Sequence, residues 1–405
     1  MSLFTTEGTE PRFIALLDIG SASVTGTILF SPHHDEPTVV WSTQERILLK
    51  QITSRGNTGK HLISALMNVV LELGQDGLQA LRAEHPRAKI ERLQVSVAAP
   101  WSYTITKQAR YEKEQSFPFT NTLYEDLIHK LEQTVTEELH EHEVSDHLGL
   151  TVASRTITSI LANGYQVAAP HRQPIESLHL ALSNTVIQNY LDEAIRDAHN
   201  KVVPQSELQI NSFILLLYYV IQQLHDEMQE YCIINQTMEA TELGIVRNGE
   251  LVYSTHEPYG IVTLGRDLSE PFSVSLEEVY GFIQAGDFTH RYEKLSAEKQ
   301  AAVDSILATY HSTISELLQQ TGDAFTIPKT IYIHTASCTY NFFAEHVEAG
   351  ATAATGLHHI VHNIDQEVLT KVAGLQPNHS DRSCVELISG FYAHTHKINP
   401  RFIPR

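Results

Sequence analysis

Cysteine is scarce in this chain: Cys232, Cys338 and Cys384 are the only three among 405 residues. An odd, widely spaced set matches neither a disulfide framework nor a zinc site, so a reducing, cytoplasmic setting is expected. Long apolar runs are missing too. The longest, Phe213–Ile221, falls far short of the roughly 18–20 residues that a membrane-spanning helix needs, and no span is expected. Basic residues are in deficit. Against 48 Asp and Glu stand 28 Lys and Arg, a net charge of −20, which repels phosphate backbones and anionic headgroups and argues against a nucleic-acid partner. The first residues lack a basic segment followed by an apolar stretch, so no export signal is read there. The last ones, Asn399–Arg405, hold two prolines and cannot form an amphipathic membrane helix. What remains is a globular composition, 42% hydrophobic, with no short-period repeat and enough chain for several lobes.

Strand and helix patterns alternate along the chain. Phe13–Leu17 and Val24–Phe30 are β-prone runs around the polar turn Asp18–Ser23, which predicts a hairpin. Apolar positions at helical spacing predict a helix from Thr58 to about Leu73, with Gly74 as its stop. Leu93–Ala99 reads as a buried strand. Thr122 and Glu125 form a capping-box pattern before a long helix with an acidic outer face, and Thr151–Leu161, Tyr165–Ala168 and Leu178–Leu182 follow as strands. Helices are predicted over Thr185–Ala198 and Phe213–Met228. A second strand series, Tyr231–Ile234, Glu242–Val246 and Glu250–Ser254, includes the turn Arg247-Asn248-Gly249, whose Asn-Gly favours a tight hairpin. Ser275 and Glu278 form another capping box, a long helix covers Val303–Leu318, Thr330–His334 is a strand, and helices follow near Asn341–Ala349 and Ser383–His394. The histidine groups His140, His142, His147 and His358, His359, His362 read as exposed polar residues rather than metal ligands.

Two halves that each open with a strand, a polar turn and a second strand resemble the actin, Hsp70 and sugar-kinase superfamily. Leu16-Leu17-Asp18-Ile19-Gly20-Ser21-Ala22-Ser23-Val24 is similar to its first phosphate motif. An inserted unit ending in Asn163–Pro170 and Leu178–Asn184 resembles the insert of the FtsA and PilM group. The resemblance implies an α/β, actin-like two-lobed fold: residues 1–91 as the first lobe, 92–184 as the FtsA-type insert, 185–230 as the first lobe continued, 231–360 as the second lobe, and 361–405 as a return to the first lobe and a tail.

The same resemblance implies ATP and magnesium as cofactors, with Asp18, Gly20, Ser21 and Ser23 at the first phosphate turn and Asp18 holding the metal. Asn235, Thr237 and Thr241 would stand at the second turn, and Thr335, Ala336 and Ser337 at the adenosine. The sequence departs from the family pattern at the second turn, where Thr237-Met238-Glu239 replaces glycines and Asn235 an aspartate, and again at Asn211 and Ser212, where an acidic residue and a proline are usual. Those departures point to a pseudo-ATPase. The function implied is a cytoskeletal scaffold of the cell division type that self-associates into filaments, recruits a tubulin-like division protein and reaches the inner face of the membrane only through partners. The alternatives are a type IV pilus adaptor of the PilM kind, bound to a pilus inner-membrane protein, and a small-molecule kinase.

Overall fold

The computed structural model describes residues 12–31, 38–52, 58–141, 149–167, 170, 172–225, 227–320, 327–335 and 339–364. Three sheets carry the architecture. In the first, β1 (Arg12–Ile19), β2 (Ser23–Ser31) and β3 (Thr38–Arg46) form an antiparallel meander, and β4 (Ile90–Val97) and β9 (Glu207–Ser212) add in parallel on the other side of β1. The order β3-β2-β1-β4-β9 recurs in the second sheet as β12-β11-β10-β13-β14. There β10 (Tyr231–Gln236), β11 (Thr241–Arg247) and β12 (Glu250–Glu257) make the meander, and β13 (Thr330–His334) and β14 (Ile360–Asn363) lie parallel. The chain therefore contains one topology twice, each copy opening with a hairpin. The β11–β12 hairpin turns where predicted, with Asn248 at φ 52° and Gly249 at φ 73°, the left-handed pair that an Asn-Gly turn supplies at least cost.

Between β4 and β9 lies the insert, an antiparallel sheet of order β5-β8-β6-β7 made from β5 (Ser102–Pro118), β6 (Leu150–Ala162), β7 (Tyr165–Gln166) and β8 (Pro174–Gln188). Its helix over Asn121–Glu141 has Leu127 and Leu131 packed with Phe119, Ile160 and Leu180 in a core of their own. The expected start of the insert at Arg92 falls inside β4, which pairs with both β1 and β9, so the insert's sheet begins only at Ser102. Its expected end at Asn184 falls within β8: Thr185, Val186 and Ile187, assigned to a helix by apolar spacing, pair instead with β5 and β6. Their β-branched side chains suit that ladder. The insert also holds the second lobe. The buried Glu250 of β12 accepts from Gln108 Nε2 at 3.0 Å and sits 2.8 Å from His179 Nε2.

The helices are α1 (Leu49–Ile52), α2 (Thr58–Glu72), α3 (Leu78–Glu84), α4 (Asn121–Glu141), α5 (Asn189–Val202), α6 (Phe213–Leu224), α7 (Ile261–Phe272), α8 (Leu276–Gln284), α9 (Phe288–Glu293), α10 (Ala297–Gln319) and α11 (Tyr340–Thr355). Gly74 does not stop α2. A π-helical turn over Leu73–Gly77 carries the chain on into α3, and Gly74 lies where a Cβ would stand 3.3 Å from Val202 Cγ2; its bareness serves the approach of α5. The capping box at Ser275 and Glu278 is present. The one read at Thr122 is not, because α4 starts two residues earlier than that cap requires and Thr120 Oγ1 accepts from the Leu123 amide at 3.3 Å. Ile360–Asn363 extends the second sheet beyond the expected boundary at 360; the predicted helix over Ser383–His394 lies outside the described residues.

Each five-stranded sheet packs its helices over a separate core, one around Leu17, Leu66 and Val95, the other around Ile234, Tyr310 and Phe343. Helix α6 joins the lobes. Phe213–Ile221 is buried on every side, in a cluster with Tyr231, Ile233 and Tyr332 of the second sheet, which is what a helix apolar all round its axis requires. Leu217 is fully buried there. Leu217→Ala should therefore cost about 2–5 kcal/mol in denaturant unfolding; a loss below about 1 kcal/mol would show that α6 is not packed between the sheets.

Candidate phosphate cleft between two hairpin turns

Five of the expected nucleotide residues belong to two turns that face each other. In the first, the Gly20 amide donates to Ser23 O at 2.9 Å, and a Cβ on Gly20 would stand 3.2 Å from that same oxygen, so glycine keeps the hairpin tight. Asp18 is buried at the end of β1, in register with Ser96 of β4, which is itself in register with Asn211 of β9. Registered residues of parallel strands share a sheet face, so these three form a row. Asn211, where the superfamily's acidic residue is usual, is fully buried, and neither its amide oxygen nor its nitrogen has a hydrogen-bond partner. Ser212 beside it takes part in the insert: its amide donates to Thr185 Oγ1 at 3.1 Å and its hydroxyl pairs with Thr104 Oγ1.

The second turn runs Thr237-Met238-Glu239-Ala240. The Thr237 amide donates to Ala240 O at 2.9 Å, and Thr237 Oγ1 accepts from the Ala240 amide at 2.9 Å. Three bonds then fix this turn in place. The Met238 amide donates to Ser21 Oγ at 2.9 Å across the lobes, and the first two amides of α7, on Ile261 and Val262, donate to Thr237 O and Met238 O at 3.1 and 2.9 Å. Gly260 allows this stacking. A Cβ there would stand 2.5 Å from Met238 O, Glu239 C and Ala240 N. The Met238 side chain, half-buried, packs against the cores of both lobes. The helix start and the serine that would face an anion are thus paired with the protein's own backbone.

Asn235 and Thr241 lie below this turn in a buried polar network. Asn235 Nδ2 donates to Glu242 Oε2 at 3.0 Å, and Asn235 Oδ1 accepts from His334 Nδ1 at 2.9 Å. Thr241 Oγ1 lies 2.8 Å from Gln236 Oε1 and 2.7 Å from Tyr259 O, and the Tyr310 hydroxyl donates to Gln236 Oε1 at 2.6 Å. Burial holds the His334 imidazole down to about 4, so it is neutral, and pushes the Glu242 carboxyl up to about 7 against the opposing pull of the Asn235 amide. Thr335 is buried with its hydroxyl 3.0 Å from Thr339 Oγ1; Ala336 and Ser337 lie outside the described residues. Apart from Asn235 and Thr241, the network's members were not legible as a site: Glu242, His334 and Tyr310 sit in ordinary strand and helix patterns, and only strand register and the packing of α10 bring them together.

Other expectations resolve individually. His358 Nδ1 pairs with Glu348 at 2.9 Å, His359, buried where an exposed side chain was expected, has Nε2 2.8 Å from Thr355 Oγ1, and His362 stacks on Tyr332; His142 and His147 lie outside the described residues. No group of three or more metal-binding side chains occurs among the described residues. Cys232 is buried, which pushes its thiol up to about 12. Among the described residues no helix is long and apolar enough to cross a membrane.

No family model matches this chain, and no curated protein matches it in sequence. Solved structures do. A chain of the "PilM-PilN type IV pilus biogenesis complex" superposes with a TM-score of 0.57 at 10% identity, covering 96% of this chain and 98% of that one. The chain has the actin-like fold. The ethanolamine utilization protein EutJ from Carboxydothermus hydrogenoformans superposes with a TM-score of 0.45 at 10% identity, over 95% of this chain and 90% of that one. A protein with "actin-like ATPase fold and unknown function" from Bacteroides thetaiotaomicron does so with 0.41 at 12% identity, over 92% and 99%. The duplicated topology accounts for the two facing hairpins.

Glu242 gives the network a pH signature. Its ordinary value is 4.5 and its folded value about 7, so between those two the native state holds a proton that the unfolded state has lost. The stability contributed is present below about pH 4.5 and is lost as the pH rises to 7, a change on the order of 3 kcal/mol. Glu242→Gln keeps an acceptor for Asn235 without the charge. It should stabilise the protein more at pH 8 than at pH 5, by about 2 kcal/mol or more in denaturant unfolding; an equal effect at both values would show that Glu242 is ionised in the fold throughout.

Proposed function

We propose that this chain is an actin-like adaptor that does not turn over ATP and that docks a segment of a partner protein in the groove where its insert meets the first lobe. The observation that carries the first half is the bond from the Met238 amide to Ser21 Oγ, together with the use of the Ile261 and Val262 amides by Thr237 O and Met238 O. Catalysis of phosphoryl transfer is mostly electrostatic positioning, by donors aimed at the charge that develops. With these donors engaged and Met238 packed between the lobes, the turns do not fit the β- and γ-phosphates of a nucleotide, and no catalytic step is assigned to them. Asp18 is the residue that would hold a magnesium ion if the turns parted.

Support for the second half comes from the groove. A cavity of about 850 Å³ lies along α4, β6 and β9, with Tyr124, Ile128 and Leu208 as apolar lining and Arg155, Arg196 and Glu207 as charges. Arg155 Nε stands 3.1 Å from Glu132 Oε1 and Arg196 Nε 2.7 Å from Asp192 Oδ2, so both signs of charge are displayed on a partly apolar floor. That mixture suits a short amphipathic polypeptide better than a small anion. A protein of the same fold in a pilus biogenesis complex favours the pilus adaptor over the division scaffold, and the partner would then be an inner-membrane protein with a short cytoplasmic segment. In a division scaffold the same insert would meet a neighbouring copy and build filaments.

A labelled peptide from the cytoplasmic segment of a membrane protein encoded beside this chain should bind in fluorescence anisotropy. Ile128→Asp and Arg155→Glu should each weaken it by about tenfold or more, the loss typical of a central apolar or charged contact. Sedimentation of the purified protein as filaments, with no such peptide binding, would overturn the adaptor reading in favour of the scaffold.

A further inference from the structure

A second cavity, of about 640 Å³, opens on the first-lobe side of the Thr237–Ala240 turn. Its walls are the first turn of α2, with Thr58, Gly59 and Lys60, the ring of Trp101 after β4, Tyr190 at the start of α5, and Glu239 from the second lobe. Gly59 makes room. A Cβ there would stand 2.9 Å from the Tyr190 hydroxyl and 3.9 Å from Trp101 Cζ3, so the two rings approach bare backbone. Lys60 is exposed and Tyr190 is 41% exposed, which places both at the mouth. Trp101 is only 8% exposed, and its indole N–H has no acceptor. Glu239 Oε2 is buried with no donor, although the Thr58 hydroxyl bears on the same carboxyl group.

Trp101 and Glu239 both line this cavity and each holds a buried polar atom without a partner, and a carboxylate left without a donor costs free energy that a cation beside it could recover. The chemistry of that ligand follows from the walls. Burial pushes the Glu239 carboxyl up to about 7, and burial followed by the Glu239 charge raises the Tyr190 hydroxyl, so a cation placed against Glu239 would offset the cost of ionising it there. Aromatic rings favour an organic cation over a hydrated metal ion, and Ile63 adds an apolar surface. An anion would meet Lys60 only at the mouth and be repelled by the carboxylate within.

We propose that this cavity binds an organic ammonium group, which pairs with Glu239 beside the rings of Trp101 and Tyr190. Glu239 comes from the second hairpin turn and the other walls from the first lobe, so the occupant ties the two lobes together at the turn. The residue that spoils a phosphate motif is here the recognition group of a neighbouring site. The ammonium could belong to a free amine or to a lysine side chain, one chemistry with two sources.

The test is calorimetry on the full chain at pH 8, where Glu239 is ionised and alkyl amines remain protonated, with n-butylamine, Nα-acetyl-lysine amide and 1-butanol as probes. Both ammonium compounds should bind, with 1-butanol about tenfold or more weaker, as loss of a charge-assisted hydrogen bond implies. Glu239→Gln should cost the amines about the same factor. In the unaltered protein the amine affinity should fall as the pH drops from 8 to 5 and Glu239 takes up its proton. Tighter binding of acetyl-lysine amide assigns the site to a basic side chain, and tighter binding of butylamine to a free amine. The proposal is overturned if no amine binds, if 1-butanol binds equally well, if the affinity is flat between pH 5 and 8, or if a folded Glu239→Gln variant keeps it.

Discussion

The hydrogen bond from the Met238 amide to the Ser21 hydroxyl ties together two hairpins that belong to different lobes, and the arrangement around it depends on that closure. Once the second turn lies on the first, its carbonyls reach the opening amides of α7, its methionine fills the gap between two cores, and its glutamate enters the first lobe beside Thr58. The amides of Met238, Ile261 and Val262 are thereby engaged within the protein. A backbone donor already satisfied within the protein gains little by meeting a phosphate, because the net gain of exchanging one hydrogen bond for another is small. Apolar packing of Met238 would be lost as well.

The duplicated topology explains why such a closure forms here. Each sheet brings its opening hairpin to the same relative position, and α6, buried on every side, links the two sheets through a shared apolar cluster. The insert adds a second link, through Glu250 with Gln108 and His179 and through Ser212 with Thr104 and Thr185. The insert is therefore bonded to both lobes. Removing it would strip Glu250 of both its side-chain partners.

Local chemistry was the legible part of the sequence. The hairpin around Asp18–Ser23, the Asn248-Gly249 turn, the Ser275–Glu278 cap and the all-apolar α6 each follow from residues close together in the chain. Where tertiary pairing decided, local reading failed: Thr185–Ile187 joined a ladder, and Gly74 served helix packing instead of helix termination. The site divides the same way. Asp18, Gly20 and Ser21 could be found from a short motif, whereas the row from Asp18 through Ser96 to Asn211 and the chain from His334 through Asn235 to Glu242 exist only through strand register. Glu239 was visible as a misfit to phosphate. Nothing local placed it against Trp101 and Tyr190.

Amide hydrogen exchange at Met238, Ile261 and Val262, followed with and without Mg-ATP, tests the closure most directly. A turn held by Ser21, with its carbonyls on α7, predicts strong protection of all three amides in the free protein and no change when nucleotide is added. Rapid exchange in the free protein, with protection appearing only on addition of Mg-ATP, would mean that the turns stand open to receive phosphate, and would contradict the account.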